Sequence, residues 1–422
     1  MKAKYILSAC FGGLWLAISV YFAIGWAQEI DCVFPALYVW WVIVGIALLP
    51  GFLMSMMFFS NLLHQKRKIY PDTEEDTTII MCARNEEGTV GRAIQAILNQ
   101  QYAGSIRLIV VDNGSTDRTK EIIQKHTELT MEGIRVEYVY CSQPGKANAL
   151  NLGLEFVDTP HFLTVDADTY LEEHALQQIM NHIVYRKCAC AAGSLFVDNV
   201  RASLTAKMQN YDYLLSIAAT KRFQGSYKST LVAQGAFSAY ETEAVREVGG
   251  WKAVQGEDIV LTYQLLQRGG CSTYESGAVG YTTVPETLDG LYSQRKRWAI
   301  GMLEGLRAVP PRKQGTAYSR HFAQVNLSVI YLDLAFLFGF LPGVILALFG
   351  YYYFAGILTL LTVAVCILLF WSMYRYQKGL GIPFQNSICG FVLFLLFFQT
   401  IQSTAALHGY LSFLLRRGSD WK

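Results

Sequence analysis

The sequence predicts an α/β domain with a mostly parallel sheet, flanked by N- and C-terminal transmembrane helices. Three observations predict it. Of the 422 residues, 52% are hydrophobic and only 16% are charged, too apolar for a soluble chain of this length. The apolar residues gather at the two ends and leave a middle of ordinary globular composition, long enough to bury its own core. Within that middle, short apolar runs alternate with helical patterns, which implies βαβ units covered on both faces.

The chain divides accordingly into 1–70, two transmembrane helices with a basic linker, and 71–290, the globular domain. An interfacial amphipathic segment, 291–322, follows, and then about three more transmembrane helices over 323–422. The apolar stretch Tyr5–Ala27 and the next, Leu37–Phe59, each reach the roughly 20 residues a bilayer demands. No small-residue cleavage pattern follows the first, so a membrane hairpin is favoured over a signal peptide. His64, Lys66, Arg67 and Lys68 stand directly after the second span, and the positive-inside rule puts the middle domain in the cytosol. C-terminal spans are expected near Val325–Gly350, Tyr351–Tyr374 and Ser387–Leu415. With three of them, Arg416, Arg417 and Lys422 fall on the outer side against the same rule, so the parity stays open.

The formal net charge of +2 and the lack of a long basic run argue against nucleic acid as a partner. Nine cysteines show no paired CxxC spacing, so free thiols in a reducing compartment are expected. Cys188 and Cys190 alternate along an apparent buried strand, which argues against metal binding there.

In the middle domain, Thr78–Ala83, Arg107–Asp112 and Val136–Cys141 read as strands, and Val90–Gln100 and Asp117–His126 as helices. Ligands of such sheets bind beyond the carboxyl ends of the strands, which directs attention to four tips. Ala83-Arg84-Asn85-Glu86-Glu87 ends the first. Asp112-Asn113-Gly114-Ser115-Thr116-Asp117 ends the second, where Asp112 faces the crevice as an acceptor for a ligand N–H, although a plain turn and helix cap has the same appearance. Gly145-Lys146-Ala147-Asn148-Ala149-Leu150-Asn151 follows the third. It lacks the P-loop spacing but offers Lys146 as a point charge for a nucleotide or phosphate. The fourth strand, Phe162–Val165, delivers Asp166 and Asp168. With no Lys or Arg nearby in sequence, two such carboxylates call for a divalent cation between themselves and a diphosphate, Mg2+ or Mn2+. The bland alternative is Asp168 capping a helix over Tyr170–Met180.

Farther on, Gly256-Glu257-Asp258 opens a helix over Ile259–Gln267. Asp258 is suited to act as a general base toward a hydroxyl, and a helix cap again competes with that reading. Gln294-Arg295-Lys296-Arg297-Trp298 combines guanidinium donors for a diphosphate with an indole that can stack on a sugar, although such segments also anchor at lipid headgroups. The stretches Arg201–Phe223, with Leu204, Met208, Tyr211 and Leu215 on one side, and Arg297–Ala308 look amphipathic. They are expected at the membrane surface or packed in the core. Of the aromatics Tyr331, Phe336, Phe338, Phe340, Tyr351 to Phe354, Trp371 and Phe397, only a minority are expected to stack on sugar in a channel.

Taken in chain order, these motifs resemble those of family 2 processive glycosyltransferases, the group of poly-N-acetylglucosamine, cellulose, hyaluronan and chitin synthases. The matching residues are Asp112, then Asp166 and Asp168, then Glu257 and Asp258, then Gln294, Arg297 and Trp298, and the likeness covers nearly the whole chain. It implies a GT-A-like nucleotide-sugar-binding domain facing the cytosol from a multi-pass cell (inner) membrane protein. Donor contacts are implied at Ala83, Asn85, Glu86, Asp112, Lys146 and Asp166, and Mg2+ or Mn2+ at Asp168 with Asp166. Asp258 is implied as the base beside Glu257, and Gln294, Arg297 and Trp298 as the lining of the acceptor and diphosphate site. Two motifs depart from the family pattern, Asp112-Asn113-Gly114 where two acids and a glycine are usual, and Gly256 where threonine usually precedes the two acids.

The implied reaction is a single displacement at the anomeric carbon with inversion, drawing a sugar from a UDP donor, N-acetylglucosamine or glucose, onto a growing β-linked glycan that passes into the bilayer. Non-processive transfer of one sugar to a lipid carrier is the alternative, and a non-catalytic nucleotide-sugar binder the more distant one, distinguished by Asp258→Asn. No cyclic-dinucleotide domain is apparent after the last span, so regulation or export is expected to need a separate, small accessory membrane subunit.

Overall fold

The computed structural model describes residues 1–64, 66–128 and 133–415; Arg416, Arg417 and Lys422 lie outside them. A single sheet of eight strands organises the middle domain: β1 (Thr77–Ala83), β2 (Ile106–Asp112), β3 (Ile134–Tyr140), β4 (His161–Asp166), β5 (Thr169–Leu171), β6 (Cys190–Val197), β7 (Phe237–Glu241) and β8 (Ser272–Thr282). Their spatial order is β3-β2-β1-β4-β7-β6-β8-β5. The first four are mutually parallel, β7 runs antiparallel between β4 and β6, β8 is parallel to β6, and β5 closes the edge antiparallel to β8.

Period-two alternation sorts the strand residues to two cores. Ile79 and Met81 of β1, with Leu108 and Val110 of β2, face the helices Val90–Leu98 and Ala175–Arg186. Ile80, Ile109 and Val111 face Leu150 and Leu154 of the helix Lys146–Glu155, together with Tyr240, Trp251 and Leu261. Gly153 lets that helix lie on β1, since a Cβ there would come within 2.6 Å of Ile80.

Residues 169–171 form a strand, with Tyr170 paired to Tyr281, and the next helix begins only at Ala175. Asp168 therefore caps no helix over Tyr170–Met180. The extended pairing with β8 outweighs the helical pattern, because it satisfies backbone groups at the sheet edge while burying Leu171.

Among the described residues, four helices are long and apolar enough to cross a membrane: Lys2–Ile30, Ala36–Leu63, Ala317–Leu348 and Ile388–Leu414. A further helix, Ile357–Gly379, covers most of the stretch expected as a span over Tyr351–Tyr374. It buries Leu369 and Met373 against Met57 and Phe58 of the second helix and against Leu214, Leu215 and Ala218. The amphipathic segment expected at Arg201–Phe223 is helical over 204–226, with a π-helical stretch Tyr213–Ala219 at its centre. Its Met208, Tyr211 and Leu215 are buried, while Leu204 is exposed. The Tyr211 ring packs among Phe370, Phe384 and Phe391 and its hydroxyl donates to the Ser387 carbonyl at 2.8 Å, so this side is covered by the C-terminal helices of the same chain.

The basic linker is tied to the globular domain. Arg67 pairs with Glu275 at 2.6 Å, bonds Gln178 and lies flat against Gly277. Seven cysteines are free as expected, but Cys188 and Cys271 form a disulfide. The parallel register that sets Cys190 opposite Ser272 brings Cys188, two residues before its strand, to a Cα separation of 4.6 Å from Cys271, one residue before its own, a proximity that spacing along the chain does not reveal.

Candidate active site

The carboxyl ends of β1, β2 and β4 converge, as parallel strands with crossover helices require. Asn85 adopts a left-handed conformation, φ 56°, which an asparagine tolerates better than most residues. Its side-chain oxygen accepts the Thr116 N–H at 2.8 Å and its own N–H donates to the Ser115 hydroxyl at 3.1 Å, so it pins the first strand tip to the second. Ala83 is buried, and its carbonyl accepts the Asn113 N–H at 2.9 Å.

Asp112 is 1% exposed, one oxygen accepting the Ser115 N–H at 2.9 Å and the other the Tyr138 hydroxyl at 3.0 Å. Both oxygens thus have a partner within the protein. Asn113 explains why an asparagine replaces the usual acid. Its amide donates to the Gln143 carbonyl at 2.6 Å while its oxygen accepts the Gly145 N–H at 2.8 Å, and a carboxylate can only accept. This residue, which motif reading treated as a mere departure, holds the loop that presents Lys146. Gly145 itself turns with φ 117°, a region open to glycine.

Lys146 Nζ lies 2.5 Å from Asp166 Oδ1. The two carboxylates of the fourth tip are therefore unequal. Asp166 has a cation, whereas Asp168 accepts only a 3.3 Å bond from the Thr169 hydroxyl and has no ion pair among the described residues. Burial, then the charges of Asp166 and Glu86, push the Asp168 carboxyl up to about 7. Glu86 is itself raised by burial and by Asp166, and accepts the Thr89 hydroxyl at 2.6 Å. Three carboxylates thus share the charge of one lysine.

The second half of the site comes from the helix Glu257–Gln267, whose first turn carries both acids. Asp258 accepts the Ile259 N–H at 2.8 Å on one oxygen and the Gly235 N–H at 3.3 Å on the other. Burial pushes Asp258 up, opposed by Lys146 and by the Gly235 N–H, and burial together with Asp258 pushes Glu257 up to about 8. The lysine links the two halves. Burial alone would depress it, but Asp166, joined by Glu257 where that carboxyl is ionised, more than offsets that and holds it charged. Gly235 makes room, since a Cβ there would stand 3.1 Å from Lys146 Nζ.

Lys221 escaped the sequence reading, and Arg295, read there among the guanidinium donors for a diphosphate, is instead buried against a carboxylate. Lys221 is buried, with no ion pair within 4 Å among the described residues, and burial takes its amine down to about 7, countered by Asp258. Arg295 is 2% exposed, pairs with buried Asp212 at 2.8 Å, and stacks on the Trp298 ring at 4.0 Å.

Gln294, Arg297 and Trp298 lie on the helix Leu288–Ala308, at i, i+3 and i+4 and so on one side of it. Arg297 is exposed and Trp298 is 39% exposed, while Gln294 Oε1 is buried with no hydrogen-bond partner among the described residues. No hydrogen bond or ion pair among the described residues joins these three to the carboxylates. What relates the two groups is backbone contact: Gly301 touches Gly256, and Trp298 stands three residues, about 4.5 Å of helix rise, before Gly301.

The residue set fits a divalent cation. Asp168 is a crowded, partly buried carboxyl with no ion pair among the described residues, beside Asp166 and Glu86, and hard oxygen donors of this kind suit Mg2+ or Mn2+. A concavity of about 580 Å3 also opens at the amino-terminal edge of the sheet, near Thr77, Ile106 and Ile134. That is the end opposite the convergent acids, and none of the motif residues lines it.

Residues 78–249 match the Glycosyl transferase family 2 model. Curated relatives include the poly-beta-1,6-N-acetyl-D-glucosamine synthase of Staphylococcus aureus, 28% identical over 285 residues that cover 65% of this chain and 67% of that protein. The synthase of the same name from Staphylococcus epidermidis is 28% identical over 273 residues, 62% of this chain and 64% of that protein. Among solved structures, a mannosyltransferase from Pyrobaculum calidifontis in complex with GDP-Man and Mn2+ superposes with a TM-score of 0.55 at 16% identity, covering 88% of this chain and 99% of that one. The last similarity establishes the fold, GT-A-like with flanking apolar helices.

Proposed function

We propose that this chain, a family 2 glycosyltransferase of the poly-N-acetylglucosamine synthase group through its residues 78–249, polymerises a UDP-sugar into a β-linked polysaccharide at a membrane, with inversion. UDP-N-acetylglucosamine or UDP-glucose is the donor, the growing glycan the acceptor, and the bilayer the exit route. One observation carries the reading. Lys146 ties a metal-type carboxylate pair, Asp166 and Asp168, to a base-type pair, Glu257 and Asp258, within one charge cluster at the strand tips.

In this reading a cation held by Asp168 and Asp166 supplies Lewis-acid neutralisation of the diphosphate when bound. Lys146, already charged and partly buried, adds a point charge beside the same diphosphate. Asp258, fixed by the Ile259 and Gly235 N–H groups, accepts the proton of the acceptor hydroxyl as it attacks the anomeric carbon. Glu257, raised to about 8, remains protonated near neutral pH and spares Asp258 a second negative neighbour. Trp298 offers the acceptor an exposed indole, and Arg297 a guanidinium free of any carboxylate within 4 Å among the described residues. The four long apolar helices support a multi-pass placement in the cell membrane with the catalytic domain on the cytosolic side.

Membranes containing the protein, incubated with radiolabelled UDP-N-acetylglucosamine or UDP-glucose and Mn2+ or Mg2+, are expected to yield a high-molecular-weight product that a linkage-specific β-glycosidase degrades. A product consisting of one sugar on an extractable lipid overturns processive synthesis.

A further inference from the structure

The first turn of the helix Glu257–Gln267 holds both acids of the base motif, so its placement sets where Asp258 points. Amides at a helix start have no partner inside the helix. The Gly256 N–H finds one outside, donating to Glu304 Oε2 at 2.9 Å. Glu304 belongs to the helix Leu288–Ala308, which also carries Gln294, Arg297 and Trp298. At Gly256 and Gly301 the two helices meet backbone to backbone, and one turn farther on the Ile259 side chain sits on Gly305. A Cβ on Gly256 would lie 2.4 Å from the Gly301 Cα, and a Cβ on Gly305 would lie 2.6 Å from the Ile259 side chain. Threonine, the usual residue at this point of the motif, has no room at 256.

Glu304 is half-buried and has no cation within 4 Å among the described residues. Burial raises its carboxyl, and the N–H groups of Gly256 and Gln255 draw it back down. Its observed hydrogen-bond partner is thus the start of the base-bearing helix, where an acceptor also meets the positive end of the helix dipole.

We infer that Glu304 is a positioning residue for the base: its carboxylate, across the Gly256–Gly301 contact, fixes Asp258 relative to the Gln294–Trp298 face. The inference rests on Asp258 being the base. Binding the acceptor and deprotonating it are thereby coupled across one helix–helix junction, and a movement of the helix Leu288–Ala308 is transmitted to Asp258 through the Glu304 carboxylate and the Gly256–Gly301 backbone contact. A misplacement of about 1 Å at such a group costs on the order of 10²-fold in rate.

The test uses the full chain in nanodiscs with Mn2+ and the UDP-sugar that the wild-type protein turns over, UDP-N-acetylglucosamine or UDP-glucose. Glu304→Ala is expected to lower kcat by about 10- to 100-fold with the donor KM within about twofold of wild type, measured below the melting temperature of each variant. Glu304→Gln, whose amide oxygen still accepts the Gly256 N–H, is expected to recover most of that loss, and Glu304→Asp, one methylene short, only part of it. A Glu304→Ala protein with wild-type kcat overturns the inference, as does a loss of rate matched by an equal loss of folded protein in all three variants. Asp258→Asn runs in parallel: if it is fully active, it is the assignment of the base that fails, whatever Glu304 does.

Discussion

Lys146 Nζ sits 2.5 Å from Asp166 Oδ1, and that contact divides two carboxylates which look equivalent in the sequence. Asp166 is neutralised within the protein, and Asp168 is left with the charge problem. The same lysine draws down the affinity of Asp168, Glu257 and Asp258 for protons. Replacing it with methionine removes that influence from all three. Lys146→Met is expected to lower kcat/KM by about 10²-fold, the order seen when one preorganised charge-stabilising group is lost, and to move the acid limb of the pH–rate profile to higher pH. A profile with an unmoved acid limb would refute the coupling.

Metal binding is expected to follow the Asp168 carboxyl. Its folded-state value near 7 lies above the ordinary 3.8, so the protonated form is favoured in the folded protein. The stability this gives is complete below about pH 4 and is lost as pH rises through 7; Glu257 behaves likewise up to about 8. The metal-free protein should therefore melt at a lower temperature at pH 8 than at pH 6. Mn2+ needs the carboxylate and should restore the melting temperature at pH 8 while doing little at pH 6. Asp168→Asn should abolish that rescue together with sugar transfer. Equal Mn2+ stabilisation at both pH values, or in the variant, would count against the site.

Within the base pair, the neighbour's role is separable. Glu257→Gln imitates a protonated Glu257 and removes the charge that Glu257 acquires at higher pH, so it should retain transfer and broaden the alkaline side of the pH profile. Asp258→Asn should lose at least about 10³-fold in kcat, toward the upper end of what general-base catalysis contributes, while still binding UDP and Mn2+ in calorimetry. An inactive Glu257→Gln alongside an active Asp258→Asn would reverse the assignment.

The strand tips were legible because parallel strands buried on both faces read as apolar runs, and β1, β2 and β4 end within a residue of where those runs stop. The partners of the tip residues were not. Asp112 meets Tyr138 only through the β2–β3 register, Lys146 reaches Asp166 from a helix start twenty residues away, and Asn113 closes a loop that no motif describes. Such contacts depend on register and loop closure, which a linear pattern does not encode. The short strand Thr169–Leu171 was hidden because three residues carry no measurable period, and its edge pairing overrode the local helical pattern. The Gly256 departure looked neutral in sequence and became intelligible only once Gly301 was seen against it.

The buried pair Asp212–Arg295 gives a last expectation, because Arg295 also stacks on Trp298 at 4.0 Å and faces Phe398 at 5.2 Å. One guanidinium thereby fixes the aromatic platform to the helix 204–226 and to the last long apolar helix. Removing one member of a buried pair leaves an uncompensated charge, at a cost of about 3–5 kcal/mol, whereas replacing both with apolar residues of similar volume is often close to neutral. Arg295→Met is therefore expected to lower the melting temperature sharply in detergent, and Asp212→Leu with Arg295→Met to recover most of it. Recovery of stability should not bring recovery of function. Without the guanidinium against its ring, Trp298 is no longer held in orientation, so the double variant should show a raised KM for glycan acceptor and shorter products at a near-normal rate of donor hydrolysis. If the double variant makes products of wild-type length, the stack contributes stability alone and Trp298 is oriented by other contacts.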